Sequence, residues 1–198
     1  MKSIRLIIMS AAAAAAALTV ASGFALTAAE APAQALHAQG VNWGDIAIPG
    51  QMCEVSGNIQ LHDGTARLSH SGLGPLVVQL GTVTRGFLAH GFGVAALNIL
   101  CSNQGGTAAG QLADGIFVFA SAGPARFLGL LTPQYREPQA PHIPFTAVEH
   151  IDTQGHIATA EYFYTPSNAD CCPTGRAITI WKWTGRTFIP GRTTITSR

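Results

Sequence analysis

Short apolar runs bounded by glycine limit what this chain can fold into. The clearest are Gly74–Val83, Gly93–Cys101 and Gly115–Ser121. Apolar runs of this length suit buried strands better than helices. After the N-terminal apolar stretch, the best helical candidate is 87–100, and glycines interrupt it. The pattern predicts a mainly β, single-domain antiparallel fold, either sandwich-like or built on a curved sheet, with an α+β fold as the alternative.

Turn-forming residues between the runs indicate hairpins and one long loop. Asp63-Gly64 is a common pair in two-residue hairpin turns. The segment 152–155, with sequence DTQG, separates two further strand-like segments. A group of closely spaced prolines cannot occupy the middle of a sheet, so it predicts a crossing loop within one domain. These prolines are Pro133, Pro138, Pro141 and Pro144.

The N-terminus has the order of a secretory signal. Two positive residues precede an uncharged apolar stretch, 6–29, and small residues follow it. Cleavage after Ala33 or Ala35 places small residues at the required positions. We therefore expect a cleaved signal peptide over 1–35 and a secreted β-rich domain over 36–198. A permanent membrane anchor is the alternative, because the stretch is long enough to span a bilayer.

The charge balance narrows the classes of partner. Removal of the signal peptide leaves nine basic and nine acidic residues. A neutral chain argues against nucleic-acid binding, which needs a basic face, and against electrostatic membrane binding. Charged residues make up 11% of the chain, well below the usual fraction of roughly 25%. The expected location is secreted or cell-envelope, and the expected partner is an envelope protein, a glycan or a lipid.

Four cysteines in a secreted chain imply two disulfides, in one of three connectivities. Cys171 and Cys172 are adjacent, and consecutive side chains of an extended segment leave on opposite sides. A bond between neighbours usually strains the peptide unit that joins them. We therefore expect Cys171 and Cys172 each to bond a different one of Cys53 and Cys101, with the choice between them left open. Metal and redox roles are disfavoured, because the chain has no C-x-x-C motif.

The region around the double cysteine is similar to a known family. The stretch 170–175, DCCPTG, is followed by a strand with Trp181 and Trp183 and by a turn at Gly185. This arrangement resembles the C-terminal signature of the actinobacterial LppP/LprE family of secreted and lipid-anchored proteins, and looser similarity extends over 43–190. The resemblance implies an extracytoplasmic location and supplies no enzymatic activity. The chain departs from the lipid-anchored members, since no cysteine ends its apolar stretch.

Trp181 and Trp183 form the candidate binding surface for a sugar or peptide. They leave the predicted strand 176–183 on the same side, together with Thr179. Packing in the core is the favoured alternative, because aromatic side chains dominate core energetics.

No catalytic, cofactor-binding or metal-binding residue is predicted. The chain has no Gly-x-Ser-x-Gly elbow, no phosphate-binding loop and no cofactor signature. We therefore expect a non-catalytic binding or structural module, with a secreted hydrolase as the alternative. The arrangements that would change this expectation are a Ser71, His90 and Asp114 triad, a Glu149–Glu161 pair in a cleft, and a His150–His156 metal half-site.

Overall fold

Two antiparallel sheets and a separate N-terminal strand pair form the fold in the computed structural model. The structure describes residues 40–69, 74–103, 108–168 and 172–197, all within one compact unit. The predicted signal peptide lies outside these residues. Within the described ranges the helices are three-residue 3-10 turns, so the mainly β expectation is confirmed. No helix in this part of the chain is long and apolar enough to cross a membrane.

The strands follow the apolar runs of the sequence. The N-terminal pair is β1 (Ala47–Pro49) and β2 (Asn58–Gln60). The first sheet comprises β3 (Thr65–Leu68), β4 (Leu76–Leu88), β5 (Phe92–Ser102), β6 (Gln111–Ala120) and β7 (Arg126–Leu131), in that spatial order. The second sheet comprises β8 (Phe145–Ile151), β9 (His156–Phe163), β10 (Gly175–Trp183), β11 (Phe188–Pro190) and β12 (Thr194–Ser197). The 3-10 turns are Trp43–Asp45, Gln51–Cys53, Ala89–Gly91 and Ala108–Gly110.

The first sheet is covered on both faces, so its central strands are apolar at nearly every position. Along β5, Ala95 and Leu97 belong to a core shared with the N-terminal segment. The alternate residues Val94 and Ala96 belong to a second core, which includes Trp181 and other residues of the second sheet. The fold is therefore layered, with the first sheet between the N-terminal strand pair and the second sheet.

The predicted turn at Asp63-Gly64 is present, with φ of 49° and 76° at its two residues. His62 and Thr65 exchange two backbone hydrogen bonds of 2.9 Å across it. The strands on either side pair elsewhere, since β2 pairs with β1 and β3 pairs with β4. The turn therefore passes the chain from the N-terminal pair into the first sheet.

The second sheet contains the predicted C-terminal hairpin and strand. β8 and β9 form a hairpin, and β10 pairs with β9 over eight residues. The opposite edge of β10 is shared, because β11 covers its C-terminal half and β12 covers its N-terminal half. Between these two short strands, the Gly191 amide donates to the Ile180 carbonyl at 2.8 Å. The proline-rich segment between β7 and β8 contains no strand, as predicted.

The predicted disulfide pairing is wrong, because Cys53 and Cys101 bond each other across a Cα–Cα distance of 5.7 Å. Cys53 ends a 3-10 turn after β1, and Cys101 lies on the face of β5 that the N-terminal segment covers. Packing of that layer onto the sheet brings the two together. This bond joins the two cysteines that were expected to bond Cys171 and Cys172. Cys172 is itself disulfide-bonded, and Cys171 lies outside the described residues.

Candidate functional site

Two adjoining cavities lie at the end of the first sheet where β4 turns into β5. Their volumes are about 650 Å³ and 730 Å³, and both are lined by Phe92, Ala122 and Arg126. We call the combined cavity the hairpin groove. The first cavity also contacts His90, Trp183 and Gly185, and the second also contacts Pro49, Phe119 and Phe127.

The two tryptophans of the candidate binding surface have different environments, and the favoured alternative of core packing holds for one of them. Trp181 is 4% exposed in the core between the sheets, where its Nε1 donates to Thr159 Oγ1 at 3.0 Å. Trp183 is half-buried, lines the hairpin groove and packs against Phe188 with ring centroids 4.7 Å apart. The two do not form a common exposed platform, so Trp181 is a core residue and Trp183 alone reaches a cavity.

Arg126 gives the hairpin groove its charge. The groove lining contains no aspartate, glutamate or lysine, and His90 is its one other titratable side chain. Arg126 is exposed, and its side chain makes no hydrogen bond or ion pair with another described residue. A guanidinium without a partner, in a cleft that lacks acids, attracts an anionic group.

A smaller cavity of about 240 Å³ lies where the first sheet meets the proline-rich loop. We call it the Asp114 cavity. Asp114 is 6% exposed; Thr146 donates its backbone N–H to Oδ1 at 2.6 Å and also its hydroxyl. The Asn98 amide lies at 3.3 Å from Oδ2. Because Asn98 also donates to the Thr146 carbonyl at 3.0 Å, this network joins the two sheets.

Burial raises the pKa of Asp114 to about 6, against opposing hydrogen bonds from Thr146 and Asn98. The neutral acid is therefore better accommodated by the folded protein than the carboxylate is.

The raised pKa of Asp114 predicts a pH-dependent stability. The protonated group contributes stability that is fully present below about pH 3.8 and is lost as pH rises through about 6. This loss is about 3 kcal/mol at 1.36 kcal/mol per pKa unit. Between pH 7 and pH 4, wild type should gain about that much free energy of unfolding relative to Asp114→Asn. Urea denaturation of both proteins at each pH measures the difference, and two parallel pH profiles would contradict it.

Glu161 anchors the proline-rich loop. It is fully buried on β9, and its Oε2 accepts the backbone N–H groups of Gln134 and Tyr135 at 2.8 and 2.7 Å. Its Oε1 accepts the Thr179 hydroxyl at 2.6 Å. These bonds fix the loop that carries Tyr135 and Arg136 to the Asp114 cavity.

The triad that would have indicated a hydrolase is not assembled. Asp114 is paired with Leu100 near one end of the first sheet. His90 lies in the turn just before Phe92, at the other end of β5. Ser71 lies outside the described residues.

In the other two arrangements each member has a different partner. Glu149 is exposed and bonds Arg176 at 2.8 Å, whereas Glu161 points into the core. His150 is paired with Ala158, while His156 bonds Asp152 at 3.0 Å. Across the described ranges, no group of three or more His, Cys, Asp or Glu side chains could hold a metal ion.

Sequence reasoning missed Arg126, Arg136 and the role of Glu161. A charged residue inside an apolar strand, as in ATAEYFY, was the available signal for Glu161, because such a residue needs buried partners. Arg126 begins β7 and Arg136 lies in the proline-rich loop, and no sequence pattern distinguishes either from an ordinary surface arginine. Comparison with protein-family models, with curated proteins and with solved structures finds no match for this chain.

Proposed function

We propose that the protein is a secreted or cell-envelope binding module, without catalytic activity, that holds an acidic glycan in the hairpin groove. The observation that carries the proposal is Arg126, whose guanidinium has no partner among the described residues and lies in an acid-free groove with Trp183 and Phe92. An extracytoplasmic location is compatible with the Cys53–Cys101 disulfide, since such bonds persist in oxidising compartments. Membership of the LppP/LprE family stays a prediction from the DCCPTG stretch.

The shape and lining of the groove favour a sugar chain. Two cavities that share residues accommodate an extended ligand better than a single compact one. Trp183 and Phe92 offer apolar ring surface to a sugar face, while Arg126 offers paired donors to a carboxylate. His90 and Asp114 lie at opposite ends of β5, and Glu149 and Glu161 have different partners, so no described geometry favours the hydrolase alternative.

An acidic oligosaccharide and its neutral counterpart test this proposal. Calorimetry should detect binding of oligogalacturonate and at least tenfold weaker binding of the same oligosaccharide after carboxyl reduction. Arg126→Gln should remove this preference, and Trp183→Ala should weaken binding of both forms. Lys182→Gln is the matched control, because it removes one positive charge from an exposed neighbour outside the groove.

If the Lys182 variant loses as much binding as the Arg126 variant, the affinity depends only on the net charge of the protein and the groove is not the binding site. Failure to bind either oligosaccharide, or equal binding of the two, would contradict the glycan proposal.

A further inference from the structure

Asp114 is a buried carboxylate without a cation. No Lys, Arg or His among the described residues forms an ion pair with it. Among the described residues its Oδ2 accepts one hydrogen bond, a long one from Asn98 at 3.3 Å, so acceptor capacity remains on a side chain that lines the cavity. Buried charges in proteins are normally paired, because an isolated one costs several kcal/mol. A cationic group in the cavity would offset that cost.

Arg136 lines the same cavity and supplies the opposite charge. It is exposed, and no hydrogen bond or ion pair joins it to another described residue, including Asp114. A plain monocation in this cavity would be attracted by Asp114 and repelled by Arg136. A ligand with one positive and one negative group satisfies both side chains.

The remaining walls are mostly apolar and limit the size of the ligand. Met52, Ala113, Ile143 and Pro144 line the same cavity as the two charged residues. Its volume of about 240 Å³ is below the roughly 300–1,000 Å³ typical of pockets for drug-sized ligands. The hydrogen bonds that the Gln134 and Tyr135 amides donate to Glu161 hold one wall in place before any ligand arrives. The cavity is therefore preformed and suits one small molecule.

We propose that the Asp114 cavity binds a free amino acid with an apolar side chain, with its ammonium group on Asp114 and its carboxylate on Arg136. The apolar side chain lies against Met52 and Ile143. This site is separate from the hairpin groove, and its proposal does not depend on the glycan function.

Leucine and its two half-molecules test the inference at pH 7.5. The probes are L- and D-leucine, 3-methylbutylamine, which lacks the carboxylate, and 4-methylpentanoate, which lacks the ammonium group. Calorimetry should show binding of at least one leucine enantiomer, and each half-molecule should bind at least tenfold more weakly. Asp114→Asn should weaken leucine binding at least tenfold without weakening binding of 4-methylpentanoate, from which it removes a like charge.

Arg136→Gln provides the second variant, because Arg136 is exposed and its replacement leaves the core intact. It should weaken binding of leucine at least tenfold without weakening binding of 3-methylbutylamine, from which it removes a like charge. Arg126→Gln, in the hairpin groove, should bind leucine like wild type, so the two sites fail independently. Absence of leucine binding, binding of either half-molecule as tightly as leucine, or an unchanged Arg136→Gln variant would overturn the inference.

Discussion

A variant with Cys53 and Cys101 both replaced by alanine should lose about 4 kcal/mol of unfolding free energy. The bond closes a loop between residues 48 apart in sequence, so its removal frees the unfolded chain much more than the folded one. Both cysteines are fully buried, and the alanines keep the layer apolar. Guanidinium denaturation of the oxidised wild type and of the variant measures the change.

The matched control replaces the other two cysteines. Because Cys53 and Cys101 bond each other, Cys171 is the cysteine left in this chain for Cys172. Peptide mapping of unreduced protein should return that vicinal link. A bond between neighbours closes almost no loop, so the Cys171→Ala, Cys172→Ala variant should lose much less stability than the first variant. Equal losses in the two variants would contradict the assignment of the main stabilising bond to Cys53 and Cys101.

Replacement of Glu161 by alanine should lower the unfolding free energy on the order of 3–5 kcal/mol. The change leaves the Gln134 and Tyr135 amides and the Thr179 hydroxyl without their acceptor. Each buried donor without a partner costs about 1–3 kcal/mol. The loop between β7 and β8 should also become accessible to proteases, because these bonds anchor it to the second sheet.

The control for this prediction is Glu149→Ala, in the neighbouring strand of the same sheet. Glu149 is exposed and bonds Arg176, and surface ion pairs contribute about 0–1 kcal/mol. Urea denaturation should therefore rank wild type and Glu149→Ala close together and Glu161→Ala far below both. Limited proteolysis with loop cleavage in Glu161→Ala alone would support the anchoring role. A Glu161→Ala protein as stable as the control would show that water replaces the carboxylate.

The strands could be predicted from sequence because the chain carries their burial pattern directly. β5 and β6 are short apolar runs between glycines, and both became buried central strands. The turn at Asp63-Gly64 could also be predicted from sequence, because its backbone needs residues that tolerate positive φ. The pairing of the adjoining strands could not be predicted in the same way. A turn fixes only the local backbone geometry, whereas long-range packing determines which sheet each strand joins.

The disulfide and the cavities depended on that packing. The entropy argument for long-range bonds applies to any distant pair of cysteines, so it could not choose between connectivities. The connectivity is determined by the packing of the N-terminal layer over β5, which brings Cys53 next to Cys101. The side chains of Trp181 and Trp183 leave β10 on one side, yet only Trp181 lies beneath the first sheet. Arg126 and Arg136 became candidates only when the fold placed each beside a cavity.

The shared edge of β10 bears on how this protein behaves when it is concentrated. An exposed edge strand can recruit the edge of another molecule and start aggregation. Here the edge is covered by β11, of three residues, and β12, of four. Pro190 ends the first and has no amide hydrogen to donate, and Gly191 follows it. An approaching molecule therefore finds no long, regular ladder to extend along this edge, so pairing of two molecules through it is disfavoured.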